Sequence, residues 1–456
     1  MKLKNNILII ILLVFVSCSK EFTELAPISE RNAENFYNTA NDMNVAVNAI
    51  YNTLKDNGVY NQSYWILQEL RSDNTFWDGT GLAEEVTVFD SFDDISTSNI
   101  TEDAWASSYL GISRANIVLS RIDAITMDAT QKNTLIGEAL FLRSFYYYNM
   151  AVLFGNIPLI LNETASVDEG NNHTQVAASV IYAQIASDLV EAEAKLPRQS
   201  AATNGRASVG AAASLLGKVY LTMGDSSNAE SALRRVLGYG YSLVDDYSNL
   251  WGVENEYNSE SIFEVDFQGG LGNQGNSFTN QFHGVLSQSV TSGQRNIPEQ
   301  DLIDAYETGD LRFAASIDGV EGTDTGYTIK FGSVNPFNDD DASNNWPVLR
   351  YADVLLMLAE AIGETNEAYG FINQVRTRAG LASIDQTTPG TFEDKLLQER
   401  RVELAFENHR WPDLIRMNRA QSVMSAQGKT TNGKLLFAIP QRELDLNSNF
   451  SQNSGY

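Results

Sequence analysis

The segment spanning residues 206–236 constrains the fold most, because it carries the spacing of a repeated helix pair. That spacing is carried, in order, by Leu216, Gly217, Tyr220, Gly224, Ala229 and Leu233. It is the tetratricopeptide pattern, in which small residues let two antiparallel helices approach closely. One such hairpin cannot bury both of its faces, so more helix pairs must stack beside it. The segment therefore predicts a mainly α fold, a tetratricopeptide-like helical superhelix.

The charge of the chain argues against one class of partner. Its 456 residues include 31 Lys and Arg against 58 Asp and Glu, which gives a formal net charge of -27. A surface this acidic repels phosphate backbones, so we expect no nucleic acid partner.

The N-terminal residues predict export and a lipid anchor. Lys2 and Lys4 precede an uninterrupted apolar run over 7–16, which is too short to span a bilayer. Cys18, the single cysteine, follows at a cleavage site. We interpret 1–17 as a signal peptide and 18–30 as a tether lipidated on Cys18. The alternative is an ordinary cleaved signal with an incidental cysteine.

The rest of the chain, 31–456, is predicted to be one domain with alternating helical and loop-rich parts. Helical periodicity predicts a frame at about 31–58, 101–240 and 348–420. Glycine, asparagine and aromatic residues predict loop-rich parts at about 59–100 and 241–347, with a few short strands. One strand is expected at 262–267, with Phe263, Val265 and Phe267 on one side.

Several blocks resemble the SusD/RagB family of outer-membrane nutrient-binding lipoproteins. In chain order they are Arg114-Ala115-Asn116, 137–143 running to Phe154-Gly155-Asn156-Ile157-Pro158, 349–356 with Ala359-Glu360-Ala361, 373–380, 399–407 with His409-Arg410-Trp411, and the tail at 439–441 and 452–456. They extend over essentially the whole chain in the order of the family.

The resemblance implies about four tetratricopeptide-like helix pairs with a variable, loop-rich ligand site. It implies a lipoprotein that faces the cell surface in the outer membrane, binds oligosaccharides and serves a SusC-like TonB-dependent transporter. It implies no catalysis and no cofactor. Some members bind peptides, so a RagB-like peptide binder is an alternative. A surface glycoside hydrolase is the rival from another class, and it would need two opposed carboxylates.

Sugar sites need exposed aromatic rings beside amides and carboxylates, and this pattern selects candidate residues outside the helical frame. The ligand-binding candidates are Trp77, Asp78, Asn276, Phe278, Trp65 and Trp346. For Trp65 and Trp346 the alternative is packing within or against a helix, and this alternative is favoured for both. Trp77 and Asp78 form the first candidate wall of the site, and Asn276 and Phe278 the second. Arg295 is the basic residue nearest to the second wall, and neither loop clusters Lys or Arg. This composition favours a neutral glucan-type ligand.

Charged residues within the family blocks are predicted to form structural ion pairs rather than a site. They are Arg143, Arg350, Asp353, Glu360, Arg376, Glu399 and Arg401. Trp105 and Trp411 are predicted to be core residues. The three histidines lack ligand spacing, so no metal site is expected.

Overall fold

A computed structural model describes residues 36–77, 84–164, 166–283, 295–320, 326–332, 334–335, 338 and 340–456. The predicted signal peptide, Cys18 and the tether therefore lie outside the described residues, as does Asp78. Among the described helices, none combines the length and the apolar character needed to cross a membrane.

Eight helices of the described part pack one against the next and form the superhelical frame. They are α1 (Ala40–Thr53), α2 (Asn99–Arg121), α3 (Ala129–Phe154), α4 (Ala178–Lys195), α5 (Val209–Thr222), α6 (Ser226–Val236), α7 (Tyr351–Ile362) and α8 (Asn366–Arg378). Pairing them in order gives four helix pairs. The prediction of a tetratricopeptide-like helical superhelix is confirmed.

The helix pair α5–α6 forms because both helices are capped and because a glycine lies at their contact. Ser208 accepts a hydrogen bond from the backbone of Ala211, and Asp225 caps α6 in the same way. A Cβ atom on Gly217 would lie 2.5 Å from the side chain of Leu233. The two helices can therefore approach this closely only with glycine at 217.

The core centres on α3, in which every residue from Gly137 to Phe154 is buried. A helix that is buried all round lies inside a protein rather than on its surface. Trp105 and Trp411 are also buried, which confirms them as core residues. After α8 the chain adds α9 (Phe392–Glu403), α10 (Arg410–Arg416), α11 (Ala420–Ala426) and α12 (Gln441–Leu446).

Short elements connect these helices. The helical ones are Ser63–Trp65, continued by a π-helical turn over Ile66–Leu70, then Glu84–Asp90, Val167–Asn171, Phe278–Phe282, Gln300–Ala305 and Leu311–Ser316. Single 3-10 turns lie at Ile122–Ala124, Ala201–Thr203, Tyr247–Leu250 and Val253–Asn255.

The described strands form four antiparallel pairs. They are β1 (Thr75–Phe76) with β5 (Ile297–Pro298), β2 (Ile157–Pro158) with β3 (Gln175–Val176), β4 (Ser261–Val265) with β8 (Trp346–Arg350), and β6 (Ile317–Asp318) with β7 (Tyr327–Thr328). These pairs confirm the expectation of a few short strands.

Strand β4 differs from its predicted alternating pattern, because it is buried on both faces. The ring of Phe263 packs 5.0 Å from the ring of Phe141 on α3. Next to it, Glu264 accepts a hydrogen bond of 3.0 Å from Asn345. A polar partner therefore satisfies the buried carboxylate of Glu264, which on a half-exposed strand would face water.

The charged residues predicted to be structural all form ion pairs. The partners are Arg143–Asp188, Arg350–Glu407, Asp353–Arg400, Glu360–Arg416, Arg376–Glu399 and Arg401–Asp73. Glu403 of α9 is the centre of this network, and it accepts hydrogen bonds from Arg312, Arg350 and Arg378 at 3.2, 3.1 and 2.5 Å. The network joins β8, α8 and α9 to the loop-rich part, and this confirms the structural interpretation.

Candidate ligand-binding site

Trp77 lies where the two loop-rich parts of the chain meet. It directly follows β1, which pairs with β5 in the register Thr75 to Pro298 and Phe76 to Ile297. The Trp77 side chain is half-buried, with its apolar surface partly packed against the core. This pairing brings segments together that are more than two hundred residues apart in sequence.

Arg295 holds the position of the Trp77 ring. Its guanidinium carbon lies 4.7 Å from the centre of that ring, which is a cation–π contact. The backbone N–H of Arg295 donates to the carbonyl of Gln281 at 2.7 Å. Arg295 is therefore anchored to the segment that contains the short helix Phe278–Phe282.

A second aromatic pair lies beside β5. The rings of His283 and Tyr327 are 5.2 Å apart with a tilt of 38°. The hydroxyl of Tyr327 donates to the exposed carboxylate of Asp318 at 3.4 Å. Partial burial, and then the Asp318 carboxylate, raise the pKa of Tyr327, so the phenol remains a donor at neutral pH.

We name Trp77, His283, Arg295, Asp318 and Tyr327 the strand-edge cluster. Its members are linked through β5, since the hydroxyl of Thr328, next to Tyr327, donates to the carbonyl of Asn296, next to Arg295, at 3.2 Å. Ring faces, a guanidinium and a carboxylate at one surface can stack on apolar C–H faces and hydrogen-bond hydroxyls. The cluster can bind a polyhydroxylated ligand, and such binding neither forms nor breaks a covalent bond.

Four of the predicted ligand-binding residues lie in the core instead. Trp65, Asn276, Phe278 and Trp346 are all fully buried. The Phe278 ring packs 4.8 Å from that of Trp346, and Trp65 packs 5.0 Å from Phe282. Phe278 therefore presents no ring face to a ligand in this structure, and the same holds for the two tryptophans.

Both the nitrogen and the oxygen of the Asn276 side-chain amide form hydrogen bonds within the protein. Its amide donates to the carbonyls of Ala342 and Asn344 at 3.3 and 2.8 Å. Its oxygen accepts from the backbone of Thr279 at 3.1 Å, at the start of the short helix. The expectation that Asn276 and Phe278 form a second wall of the site is therefore wrong. Both residues are buried and support the surface from below. The four-residue spacing of Phe278 and Phe282 is the sequence signal for this buried helix.

Four residues of the strand-edge cluster were not ligand-binding candidates from the sequence, namely His283, Arg295, Asp318 and Tyr327. The reason is clearest for Arg295 and Tyr327. They reach Trp77 and His283 only through two-residue strands, which are too short to show any periodicity. In the part of the chain that is described, no group of three or more His, Cys, Asp or Glu side chains is placed to hold a metal ion.

Comparisons with known proteins agree with this fold. A family model described as "SusD family" matches residues 314–456, and one described as "Starch-binding associating with outer membrane" matches 22–221. A solved structure, "Laminarin binding SusD-like protein", is 30% identical with a TM-score of 0.82, covering 92% of this chain and 100% of that one.

Curated relatives extend the likeness over nearly the full length. "SusD-like protein P2" of Formosa agariphila is 27% identical, covering 98% of each chain. "Starch-binding protein SusD" of Bacteroides thetaiotaomicron is 24% identical, covering 77% of this chain and 78% of that protein. These matches, with the four helix pairs and the loop-borne cluster, define a tetratricopeptide-like binding protein of an outer-membrane-associated class. The chain belongs to the SusD family.

Proposed function

We propose that this chain is a cell-surface lipoprotein that captures oligosaccharides of a neutral glucan and delivers them to a SusC-like TonB-dependent transporter. The observation that carries the proposal is Trp77, a partly exposed indole held at the meeting point of the two loop-rich parts. The family supports a binding role, and a 30% identical relative is named for binding laminarin.

The chemistry of the strand-edge cluster suits a sugar. The C–H face of a pyranose ring stacks on Trp77, and the ring of Tyr327 offers a second apolar surface. Arg295 donates to ligand hydroxyls, and Asp318 accepts from them. Such a site has modest affinity, because each hydrogen bond replaces one to water.

Two features favour a neutral ligand over an anionic one. The net charge of -27 repels sulfated or uronic-acid chains at a distance. The cluster contains one guanidinium, which already lies over the Trp77 ring, whereas anion sites use several guanidinium forks. We therefore propose neutral β- or α-glucans as the preferred ligands.

The anchor, the domain division and the transporter partner are parts of this proposal that rest on the family resemblance and on the N-terminal sequence. Residues 1–17 would be removed, Cys18 would carry the acyl chains, 18–30 would be the tether, and 31–456 would be one domain with its frame toward the transporter.

Binding is favoured over hydrolysis. A glycoside hydrolase needs two carboxylates about 5–10 Å apart with the sugar between them. Among the described residues of the strand-edge cluster, Asp318 supplies the carboxylate, and it faces solvent, while Asp78 lies outside the described residues. We therefore expect the protein to hold a glycan without cleaving it.

Affinity gel electrophoresis of the purified mature protein tests the proposal. We expect retardation by at least one neutral glucan, with laminarin and starch in the panel, and less by alginate or a sulfated polysaccharide. No new reducing ends should appear on prolonged incubation. Stronger retardation by the anionic chains would contradict the neutral-glucan assignment. Release of reducing ends would favour a hydrolase, and binding of peptides without any glycan would favour the RagB-like alternative.

A further inference from the structure

A second pocket lies away from the strand-edge cluster, between α2 and the C-terminal segment. It encloses a cavity of about 250 Å³. Its walls include Trp105 and Tyr109 of α2, Pro158 of β2, Glu443 of α12 and Phe450. The cavity is slightly smaller than pockets for drug-sized molecules, so it suits a ligand of a few heavy atoms.

Three aromatic rings form the apolar walls of this cavity. The ring of Trp105 lies 5.2 Å from that of Tyr109 and 6.3 Å from that of Phe450, at tilts of 46° and 58°. None of these contacts is a parallel stack. Trp105 is otherwise buried and also packs edge-to-face against Phe154 at 5.2 Å, whereas Tyr109 and Phe450 are half-buried. Electron-rich ring faces around a small cavity attract cations.

Glu443 supplies a carboxylate to the same cavity, and this carboxylate has no close partner. No hydrogen bond or ion pair joins its side chain to another described residue, although the group is half-buried. The neighbouring Arg442 is directed to Glu102 instead, at 3.4 Å. Burial, the main cause, raises the pKa of Glu443, and the nearby charge of Arg442 offsets this rise only in part.

Two other polar side chains of the cavity are occupied, whereas the buried Nε2 atom of His173 has no hydrogen-bond partner among the described residues. The hydroxyl of Tyr109 donates to the carbonyl of Pro158 at 2.8 Å. Asn116 donates to the carbonyl of Ile160 at 2.8 Å and accepts from Arg143 at 2.9 Å. A ligand in this cavity therefore meets the carboxylate of Glu443 and the ring nitrogen of His173, and the remaining surface is mainly apolar.

We propose that this cavity is a binding site for a substituted ammonium group, held by the ring faces of Trp105, Tyr109 and Phe450 and paired with the carboxylate of Glu443. Three rings and one carboxylate are the elements with which proteins recognise quaternary and alkylated ammonium ions. The acidic surface of the chain raises the local concentration of cations. The ammonium group can belong to a free small molecule or to a lysine side chain.

Isothermal titration of the mature protein with choline tests this site. The matched ligand is 3,3-dimethyl-1-butanol, which has the same shape without the charge, and Nα-acetyl-lysine methylamide represents the lysine source. We expect choline or the lysine derivative to bind and the neutral alcohol to bind at least about tenfold more weakly. Equal binding of choline and the alcohol, or binding of neither ammonium compound, would overturn the proposal.

Two variants locate the binding. Glu443→Gln keeps the shape of the side chain and should weaken the ammonium ligand about tenfold, and Phe450→Ala should weaken it as well. Asp445→Asn is the control, since Asp445 is an exposed carboxylate of the same helix outside the cavity. Retained binding in Glu443→Gln, or equal loss in Asp445→Asn, would contradict the assignment. Glucan retardation should be unchanged in all three variants, which separates this site from the strand-edge cluster.

Discussion

The contact between Arg295 and Trp77, together with packing against the core, holds the ring of the proposed sugar platform. A cation–π contact at a partly exposed site contributes roughly 0.5–1 kcal/mol. We expect Arg295→Ala to weaken glucan binding about two- to fivefold, because the ring becomes less ordered and one donor is lost. Calorimetry with a bound glucan oligosaccharide measures this change.

A matched control for that variant is Arg198→Ala. The guanidinium of Arg198 lies 5.0 Å from the ring centre of Tyr239, a similar contact at a distant place in the sequence. It should leave glucan affinity unchanged. Unaltered affinity in Arg295→Ala, or an equal decrease in Arg198→Ala, would count against the role of Arg295.

At the residue scale, the sequence predicts Trp77 as a binding residue, and this stays a prediction, whereas it does not predict the neighbours of Trp77 in the cluster. A tryptophan among polar and turn-forming residues is recognisable from composition alone. Four other candidates lie in segments of similar composition, yet they are buried, because burial depends on which residues pack against them. They are Phe278, Asn276, Trp65 and Trp346. Arg295 is distant in sequence and reaches Trp77 through tertiary pairing. Composition can nominate a sugar-binding aromatic, but only packing decides whether its face is available.

At the element scale, the helix pair α5–α6 depends on the missing side chain of Gly217. A methyl group there would overlap Leu233, so we expect Gly217→Ala to lower the free energy of unfolding by about 1–3 kcal/mol. Gly370→Ala in the middle of α8 is the matched control, because its methyl group would meet no atom within 4 Å. That variant should raise stability by about 0.5–1 kcal/mol. Urea unfolding measures both, and a stabilising Gly217→Ala would contradict the close approach.

The ion-pair network around Glu403 gives a second prediction for the elements that it joins. Burial by itself would raise the pKa of Glu403, but Arg378, Arg350 and Arg312 outweigh burial and lower that pKa to about 2. Glu403→Gln leaves these guanidinium groups with one less counter-charge, so we expect a loss of about 3–5 kcal/mol at neutral pH.

The pH dependence follows from the lowered pKa. The stabilisation from Glu403 is fully present above its unfolded pKa of about 4.3 and is lost as pH falls toward 2. The difference in free energy of unfolding between the native chain and Glu403→Gln should therefore shrink from about pH 5 to pH 2. Denaturant unfolding across this range measures the difference. Glu367→Gln, at the exposed pair with Arg234, should show little effect. A difference in free energy of unfolding that stays constant with pH would contradict the stabilising role assigned to the Glu403 carboxylate.

Helices and loops differed in how well they could be predicted. The frame follows from apolar periodicity, caps and the L-G-x2-Y spacing, which are local properties. The short helix Phe278–Phe282 and the two-residue strands extend over too few residues for a pattern to form. Their structure is set by neighbours such as Trp346 and α3, so the sequence could indicate a loop-rich part but not its architecture.

At the scale of the whole molecule, the frame and the loop-rich parts have different roles. The eight frame helices and their buried ion pairs form a rigid support, while the strand-edge cluster occupies the contact between the two loop-rich parts. The proposed ligand site therefore lies on segments that can vary without disturbing the superhelix. This arrangement accounts for a chain that shares its fold with solved structures only about a quarter identical in sequence.

The most direct test of glucan capture at the strand-edge cluster compares Trp77→Ala with Tyr220→Ala in affinity electrophoresis and calorimetry, using the glucan that retards the native protein most. Tyr220 is a half-buried aromatic residue of α5, outside the cluster. We predict that Trp77→Ala weakens binding about tenfold or more, with an unchanged circular dichroism spectrum, and that Tyr220→Ala binds as the native chain does. Native affinity in Trp77→Ala would contradict the account.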